Sequence, residues 1–150
     1  MKVYRIAGKK HSDDLTGTGA ATYGGRWNKK GTPALYTGES KEIALLETIV
    51  HTPPMIIPKL DIITLEIPDN SITTIKIDML PSNWSAYPAP AVLSDIGEKW
   101  VRESKTIALK VPSCIIHSAY NIILNCQHKD YSSVKLIDKR NFKFDSRLLK

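Results

Sequence analysis

The sequence predicts a single α+β domain, and three observations lead to this fold class. The chain has 150 residues, of which 42% are hydrophobic and 24% are charged, an ordinary composition for one globular domain with a buried core. Short β-branched segments alternate with longer segments in which apolar residues recur every three or four positions. No repeat, low-complexity segment or linker divides the chain. We therefore expect one domain over residues 1–150.

The predicted strands are short and are bounded by turn-forming residues. Pro68 to Ser71 predicts a turn between two of them, and Leu80–Pro90, with three prolines, predicts an ordered loop. The predicted strands are Lys2–Ala7, Ala34–Thr37, Leu60–Ile67, Ile72–Ile77, Thr106–Val111, Asn121–Asn125 and Lys135–Phe144.

Two helices are predicted, at Ser40–His51 and Val92–Glu103. Ser40 suits the N-cap position, and Glu42 places a negative charge in the first turn, where the helix dipole favours it. Apolar residues on most sides of this helix predict that it is buried nearly all round, which would place Glu47 in low-dielectric surroundings. A carboxylate there requires a cation, hydrogen-bond donors or a ligand.

Glycine is concentrated early in the chain, because seven of the eight glycines lie at or before position 38. Gly17-Thr18-Gly19 partly matches a dinucleotide-binding fingerprint. The third glycine of that fingerprint is missing, and the sequence predicts neither a strong strand before this segment nor a helix after it. We therefore exclude a Rossmann-type site.

Cysteine and histidine usage predicts neither a disulfide framework nor a metal site. Cys114 and Cys126 lack metal-ligand spacing, and His11 and His117 have no partner at ligand spacing, so we assign no metal. The N-terminal residues lack the features of a signal peptide, and no apolar segment approaches the roughly 20 residues needed to cross a bilayer. A cytoplasmic protein with reduced thiols is expected.

The formal net charge is +6, and the C-terminal end carries much of it. From Lys129 to Lys150 there are seven basic and three acidic residues, and no more than two basic side chains, Lys139 and Arg140, are adjacent. This pattern is typical of a solvated face, and a docking surface for nucleic acid or another acidic partner remains an alternative.

Four polar residues stand out by their context. Arg26 follows a glycine pair, Tyr36 ends a short apolar strand, and Glu47 is the only charge on the apolar part of its helix. Ser113 follows a strand that ends at a proline. Two simpler interpretations remain open: Arg26 and Glu47 could form a structural ion pair, and Ser113 could be a turn residue.

These residues and their neighbours resemble the signature of the RES-domain family, which is named for its arginine, glutamate and serine. The matching motifs are Gly-Gly-Arg26-Trp-Asn, Leu-Tyr36-Thr, Leu-Leu-Glu47-Thr-Ile-Val-His and Val-Pro-Ser113. The likeness extends from Tyr4-Arg-Ile to Phe144-Asp-Ser-Arg, nearly the whole chain. One departure is Asn125-Cys-Gln-His128, where the family usually has a proline after the asparagine.

The resemblance implies a fold similar to that of ADP-ribosyltransferases, with a mixed or antiparallel split sheet and a few helices. It implies that NAD is a substrate that is consumed, so no cofactor is expected. Arg26, Tyr36, Glu47 and Ser113 correspond to the family's catalytic residues. The residues expected to bind NAD are Arg26, Trp27, Asn28, Tyr36, Ser113 and Asn125.

The function implied by the resemblance is that of a bacterial toxin of a toxin–antitoxin pair. It would deplete NAD by cleaving the nicotinamide–ribose bond, passing ADP-ribose to water or phosphate. Two alternatives stay open: transfer of ADP-ribose to a macromolecule, and a basic nucleic-acid-binding or RNA-cleaving module using histidines such as His117 and His128. The implied partner is an Xre-like helix-turn-helix antitoxin. The toxin would be bound to operator DNA only through this antitoxin. Whether the toxin is a monomer or a homodimer stays open.

Overall fold

A seven-stranded sheet forms the centre of the protein in a computed structural model that describes residues 1–149. The strand order is β4-β5-β6-β2-β1-β3-β7. Only β4 and β5 pair in parallel, so the sheet is mixed, as predicted. The strands are β1 Lys2–Gly8, β2 Ala34–Gly38, β3 Leu60–Glu66, β4 Ile72–Thr74, β5 Ala108–Pro112, β6 Tyr120–Asn125 and β7 Lys135–Phe142.

The sheet is nearly split between β1 and β2. These two strands share a single register pair, Tyr4 with Gly38. By contrast, β1 and β3 are paired over seven positions and β2 and β6 over five. The sheet therefore consists of two parts, β4-β5-β6-β2 and β1-β3-β7, which meet over one residue pair. This arrangement confirms the split sheet that was predicted.

Three helices accompany the sheet: α1 Thr18–Tyr23, α2 Lys41–Val50 and α3 Ala91–Glu103. The predicted cap of α2 is present, because Oγ of Ser40 accepts a hydrogen bond of 3.2 Å from the backbone N–H of Ile43. Short 3₁₀ turns occur at Ile77–Met79, Tyr131–Ser133 and Ser146–Leu149. In the stretch from residue 1 to residue 149, no helix has the length and apolarity required to cross a membrane.

The helix α1 was not predicted, so the expectation of no helix after Gly17 was wrong. This helix has six residues, no side-chain cap and no buried residue, so its sequence carries no periodic apolar signal. Gly17 precedes it with a φ of 75°, and a Cβ there would lie 2.6 Å from the backbone nitrogen of Ala34. Close packing against β2, rather than a local pattern, therefore shapes this segment.

The strand β4 differs from the prediction in length and place. It ends at Thr74 instead of Ile77. Although a turn joins it to β3 in the chain, it pairs with β5 at the opposite edge of the sheet. Local turn residues mark where a strand ends, but they do not determine which strand becomes its neighbour.

The helix α2 is buried on one side only, so the prediction of nearly complete burial was wrong. Only Ile43 and Ala44 are buried, and Val50 is 58% exposed. The helix contacts β1, β2 and β6, and its residues other than Ile43 and Ala44 are half-buried or exposed. Glu47 is therefore half-buried, at the boundary between the packed side and solvent.

Two hydrophobic clusters pack on opposite faces of the sheet. One includes Val3, Leu35 and Leu124, and the other includes the three tryptophans together with Leu109 and Ile123. Tyr36 is paired with Ile123, so it faces the tryptophan cluster. Side chains alternate along a strand, and Asn121 therefore lies on this same face, two residues before Ile123.

Candidate active site

Glu47 is held by two neutral hydrogen-bond donors. Its Oε1 accepts a bond of 2.8 Å from Nδ2 of Asn121 and a longer one of 3.3 Å from the hydroxyl of Ser113. Within residues 1–149, Oε2 has no hydrogen-bond partner and the carboxylate takes part in no ion pair. From the sequence, a carboxylate at this position was expected to need a cation, hydrogen-bond donors or a ligand. The structure shows two hydrogen-bond donors.

Ser113 lies at the end of β5 with no exposed surface. Its Oγ accepts hydrogen bonds from the backbone N–H groups of Ile115, at 3.1 Å, and Ile116, at 3.3 Å. Because both acceptor positions of the hydroxyl are used by this turn, its proton is directed to Glu47. Ser113 is thus both a turn residue and a partner of the glutamate.

Asn121 belongs to this site, but sequence reasoning did not select it. It lies on β6, where it is paired with Gly38 of β2 and with Val111 of β5. Its Nδ2 donates to Glu47, whereas its Oδ1 is buried and has no partner in the described part of the chain. One signal could have revealed it: an amide side chain at an inward position of a buried strand must find a polar partner.

A second cluster is built around the hydroxyl of Tyr36. This hydroxyl donates to Oδ1 of Asn28 at 2.7 Å and accepts from the backbone N–H of Trp27 at 3.0 Å. The turn must contain glycine at Gly25, where a Cβ would lie 2.6 Å from the Tyr36 hydroxyl. Burial raises the pKa of Tyr36 to about 12, so the phenol is neutral at physiological pH.

Trp27 and Asn28 are engaged inside the protein. The Trp27 side chain is 3% exposed and packs in the tryptophan cluster, so its contact to the second cluster is through the backbone. Asn28 is 2% exposed, and its Nδ2 donates to the carbonyls of Ala20 and Thr32. Both residues shape the turn around Tyr36, and their contact with NAD stays a prediction.

Arg26 is held by backbone carbonyls and not by a carboxylate. Its Nη1 donates to the carbonyl of Trp84 at 2.8 Å, and its Nη2 donates to that of Ala86 at 3.0 Å. Among the described residues it forms no ion pair, so the structural pair with Glu47 that the sequence left open is not formed. A guanidinium has further N–H groups, which are available for an anion.

The two clusters lie on the same face of adjacent strands. Tyr36 is paired with Ile123 and Gly38 with Asn121, so Tyr36 and Asn121 are diagonal neighbours, about 7–8 Å apart between Cα atoms. A Cβ on Gly38 would lie 2.9 Å from the backbone nitrogen of Ala44. Glycine at this position therefore lets α2 approach the sheet, which places Glu47 over Asn121.

Asn125 and His128 lie at the other end of β6. Oδ1 of Asn125 accepts from the backbone N–H of Gln127, and Nδ1 of His128 accepts from that of Asp130, both at 3.0 Å. These bonds form the turn despite the missing proline. The remaining donors, Nδ2 of Asn125 and Nε2 of His128, are buried, and the described residues offer them no partner. NAD binding by Asn125 stays a prediction.

The basic C-terminal end is partly neutralised by local ion pairs. Lys139 lies 3.8 Å from the buried carboxylate of Asp61. Two further pairs, each at 2.6 Å, join Arg140 to Asp138 and Arg147 to Asp145. This arrangement favours a solvated surface over a continuous nucleic-acid-binding face.

The fold matches that of one chain in a solved toxin–antitoxin complex. One chain in the crystal structure of the M. tuberculosis MbcT-MbcA complex is similar to this chain with a TM-score of 0.78. The match covers 95% of this chain and 84% of that chain, at 18% sequence identity. The likeness shows that the two chains share a fold.

The family follows from the sequence comparisons. The RES domain matches residues 2–145. Toxin Res of Yersinia enterocolitica is 36% identical over 151 residues, covering 99% of each chain. A protein of Sphingobium sp. named Prs ADP-ribosylating toxin is 33% identical over 143 residues, 93% of this chain and 89% of its own length. The chain belongs to the RES domain family, which confirms the resemblance of its motifs.

Proposed function

We propose that this chain is the toxin of a toxin–antitoxin pair and that it cleaves the nicotinamide–ribose bond of NAD. Similarity to Toxin Res over the full length of both chains supports the first part. One observation carries the second part: the carboxylate of Glu47 is held by Asn121 and Ser113 and is neutralised by no cation within the described residues.

The proposed chemistry requires a negative charge beside the ribose. Departure of nicotinamide develops positive charge on the sugar, as in an oxocarbenium-like transition state. Neutral donors orient the Glu47 carboxylate without cancelling its charge, whereas an arginine partner would offset it. Preorganised electrostatics of this kind contribute roughly 3–4 kcal/mol to transition-state stabilisation. Oε2 of Glu47, which has no donor within residues 1–149, can accept a hydrogen bond from a ribose hydroxyl.

Arg26 and Tyr36 have complementary proposed roles. Arg26 is oriented by the carbonyls of Trp84 and Ala86 and has free N–H groups, which suit the pyrophosphate of NAD. The Tyr36 ring can stack on nicotinamide, which is cationic before cleavage. Ser113 orients Glu47, because its proton is directed to that carboxylate. In this scheme NAD is a substrate, and no cofactor takes part.

The acceptor of ADP-ribose is proposed to be water or phosphate. A second candidate is a macromolecular acceptor, which the name of the 33% identical Sphingobium relative favours. The two differ in where label from adenine-labelled NAD is found. Label in small molecules supports hydrolysis or phosphorolysis, and label retained on protein or nucleic acid supports transfer.

The deciding experiment is incubation of the purified protein with adenine-labelled NAD, with and without phosphate. Release of nicotinamide by the wild type, lost in Glu47→Gln and kept in the control Glu66→Gln, is the expected result. Glu66 is exposed at the end of β3, so its substitution tests for nonspecific charge effects. Intact NAD after incubation with folded wild-type protein would overturn the proposal. Steeply salt-dependent RNA binding would then favour the nucleic-acid alternative.

The proposed partner is an Xre-like helix-turn-helix antitoxin, and the pair would meet NAD in the cytoplasm. The similarity in fold to one chain of a toxin–antitoxin complex supports such a partner. The turn from Gly24 to Lys30 is the proposed site of inhibition, because the Arg26 guanidinium could bind a carboxylate of the antitoxin in place of phosphate. Operator DNA would then be bound through the antitoxin.

A further inference from the structure

Asn121 has an arrangement that is unfavourable for stability alone. Its Nδ2 donates to Oε1 of Glu47 at 2.8 Å, while its Oδ1 is buried and finds no partner among residues 1–149. A buried carbonyl without a donor destabilises a folded protein. The neighbouring inward residues of the sheet, Val111 and Ile123, are fully buried and apolar, so an apolar side chain would satisfy packing at this position.

The amide of Asn121 directs its donor, and not its carbonyl, at Glu47. Nδ2 is a donor only, so the bond to Glu47 is formed when Oε1 is an acceptor. The opposite orientation would direct Oδ1 at an oxygen of Glu47 that already accepts a hydrogen bond from Ser113. The observed orientation therefore serves Glu47 and leaves Oδ1 of Asn121 without a partner among residues 1–149.

We propose that Asn121 is a positioning residue that acts through Glu47, an inference that rests on the proposed function. Its amide donates to Oε1 from β6, a strand that contains no charged residue. The hydroxyl of Ser113 donates to the same oxygen. Oε2 is thereby left for the substrate. The unpartnered Oδ1 is a stability cost associated with holding the carboxylate in this orientation.

The test replaces Asn121 by leucine, which has a similar volume and no polar atoms. We expect Asn121→Leu to lower kcat by about 10- to 100-fold with little change in KM, because the carboxylate is misplaced while NAD contacts elsewhere persist. Thermal stability should stay equal or rise, since an unsatisfied carbonyl is removed. A purely structural role predicts the reverse: lower stability and an unchanged kcat. Asn141→Leu, in the exposed part of β7, is the matched control.

A double-mutant cycle separates action through Glu47 from an independent effect. If Asn121 acts through the carboxylate, Asn121→Leu combined with Glu47→Gln should be no slower than Glu47→Gln alone. If the fold-decreases in kcat of the two single variants multiply in the double variant, the proposal is overturned. An unchanged kcat in Asn121→Leu would also overturn it. If the leucine variant does not fold, Asn121→Ser, with its shorter side chain, is measured in the same cycle.

A crystal structure of Asn121→Leu without NAD provides a readout that does not depend on activity. The Glu47 carboxylate is expected to adopt a different orientation from that in the wild type, and an unchanged orientation would contradict the inference. This result is also distinguishable from failure of the proposed function. Wild-type protein that leaves NAD intact refutes the NAD chemistry, whereas an active wild type with an unaffected Asn121→Leu refutes only the role of Asn121.

Discussion

The hydroxyl of Ser113 lies 3.3 Å from Oε1 of Glu47, although the two residues are 66 positions apart in the chain. The hydroxyl accepts hydrogen bonds from its own turn, so its proton is directed to the carboxylate. Together with Asn121, this bond orients a half-buried carboxylate that no cation within residues 1–149 neutralises. The proposed NAD chemistry depends on that charge.

Glu47→Gln should lower NAD consumption by at least about a hundredfold while the protein stays folded. Glutamine keeps the size of the side chain and nearly the same helix propensity, but it removes the charge that opposes the oxocarbenium-like ribose. The measurement is nicotinamide release by variants whose melting curves match that of the wild type. Near-normal turnover in folded Glu47→Gln would end this mechanism, and Glu66→Gln should behave as the wild type.

Arg26→Lys should weaken NAD binding, slow turnover and lower stability. Lysine keeps the charge but loses the planar fork, so it cannot serve the carbonyls of Trp84 and Ala86 together with a phosphate. Loss of a hydrogen bond from a charged group costs roughly 1.5–3 kcal/mol of unfolding free energy. Melting curves and activity measured side by side separate the effects. Reduced stability with full activity per folded molecule would show that Arg26 only stabilises the loop that contains Trp84 and Ala86. Arg102→Lys, exposed on α3, is the control.

Tyr36→Phe should flatten the alkaline decline in stability. Burial raises the pKa of Tyr36 from 10.0 to about 12, so the unfolded chain loses the proton first. The contribution of Tyr36 to the free energy of unfolding is therefore complete below pH 10 and is lost as pH rises to 12. Urea unfolding across this range should show a shallower decline in the variant than in the wild type.

The same variant provides a check at neutral pH. Phenylalanine leaves the N–H of Trp27 and Oδ1 of Asn28 without their partner, which should cost roughly 1–3 kcal/mol of unfolding free energy. Burial also raises the pKa of Tyr131, so the alkaline decline should be reduced and not abolished. Tyr23→Phe, at a side chain that is 80% exposed, should change neither quantity. An alkaline decline in Tyr36→Phe as steep as in the wild type would contradict the assignment.

Co-expression with the product of the adjacent gene should abolish NAD loss, if that product is the antitoxin. Inhibition by occlusion of the turn from Gly24 to Lys30 also predicts that NAD and the antitoxin compete. The measurement is NAD affinity of the toxin alone and of the purified complex. A stable complex that binds NAD with undiminished affinity would show that inhibition does not occur by occlusion.

Much of the secondary structure could be predicted because its signals are local. The cap at Ser40, the β-branched segments and the apolar periodicity of α3 each depend on residues within one element. The motifs around Arg26, Tyr36, Glu47 and Ser113 likewise identified the family, which the full-length comparisons confirm. Their roles in NAD chemistry remain proposals.

The predictions that failed concern relations between elements. The all-round burial of α2 was wrong because apolar residues do not reveal how many neighbours a helix has, and α2 has the sheet on one side only. The turn after β3 did not indicate that β4 would pair with β5, since strand order depends on the whole sheet. The helix α1 has no amphipathic pattern, because it buries none of its residues.

The sequence by itself determined the family, the class of fold and the side chains that could perform the chemistry, because these follow from residue types at local spacing. Only the tertiary structure decided which groups hold those side chains. Asn121 reaches Glu47 because β6 pairs with β2 and Gly38 lets α2 approach the sheet. Arg26 is bound to the carbonyls of Trp84 and Ala86 rather than to Glu47 because backbone acceptors become available only where a folded loop presents them.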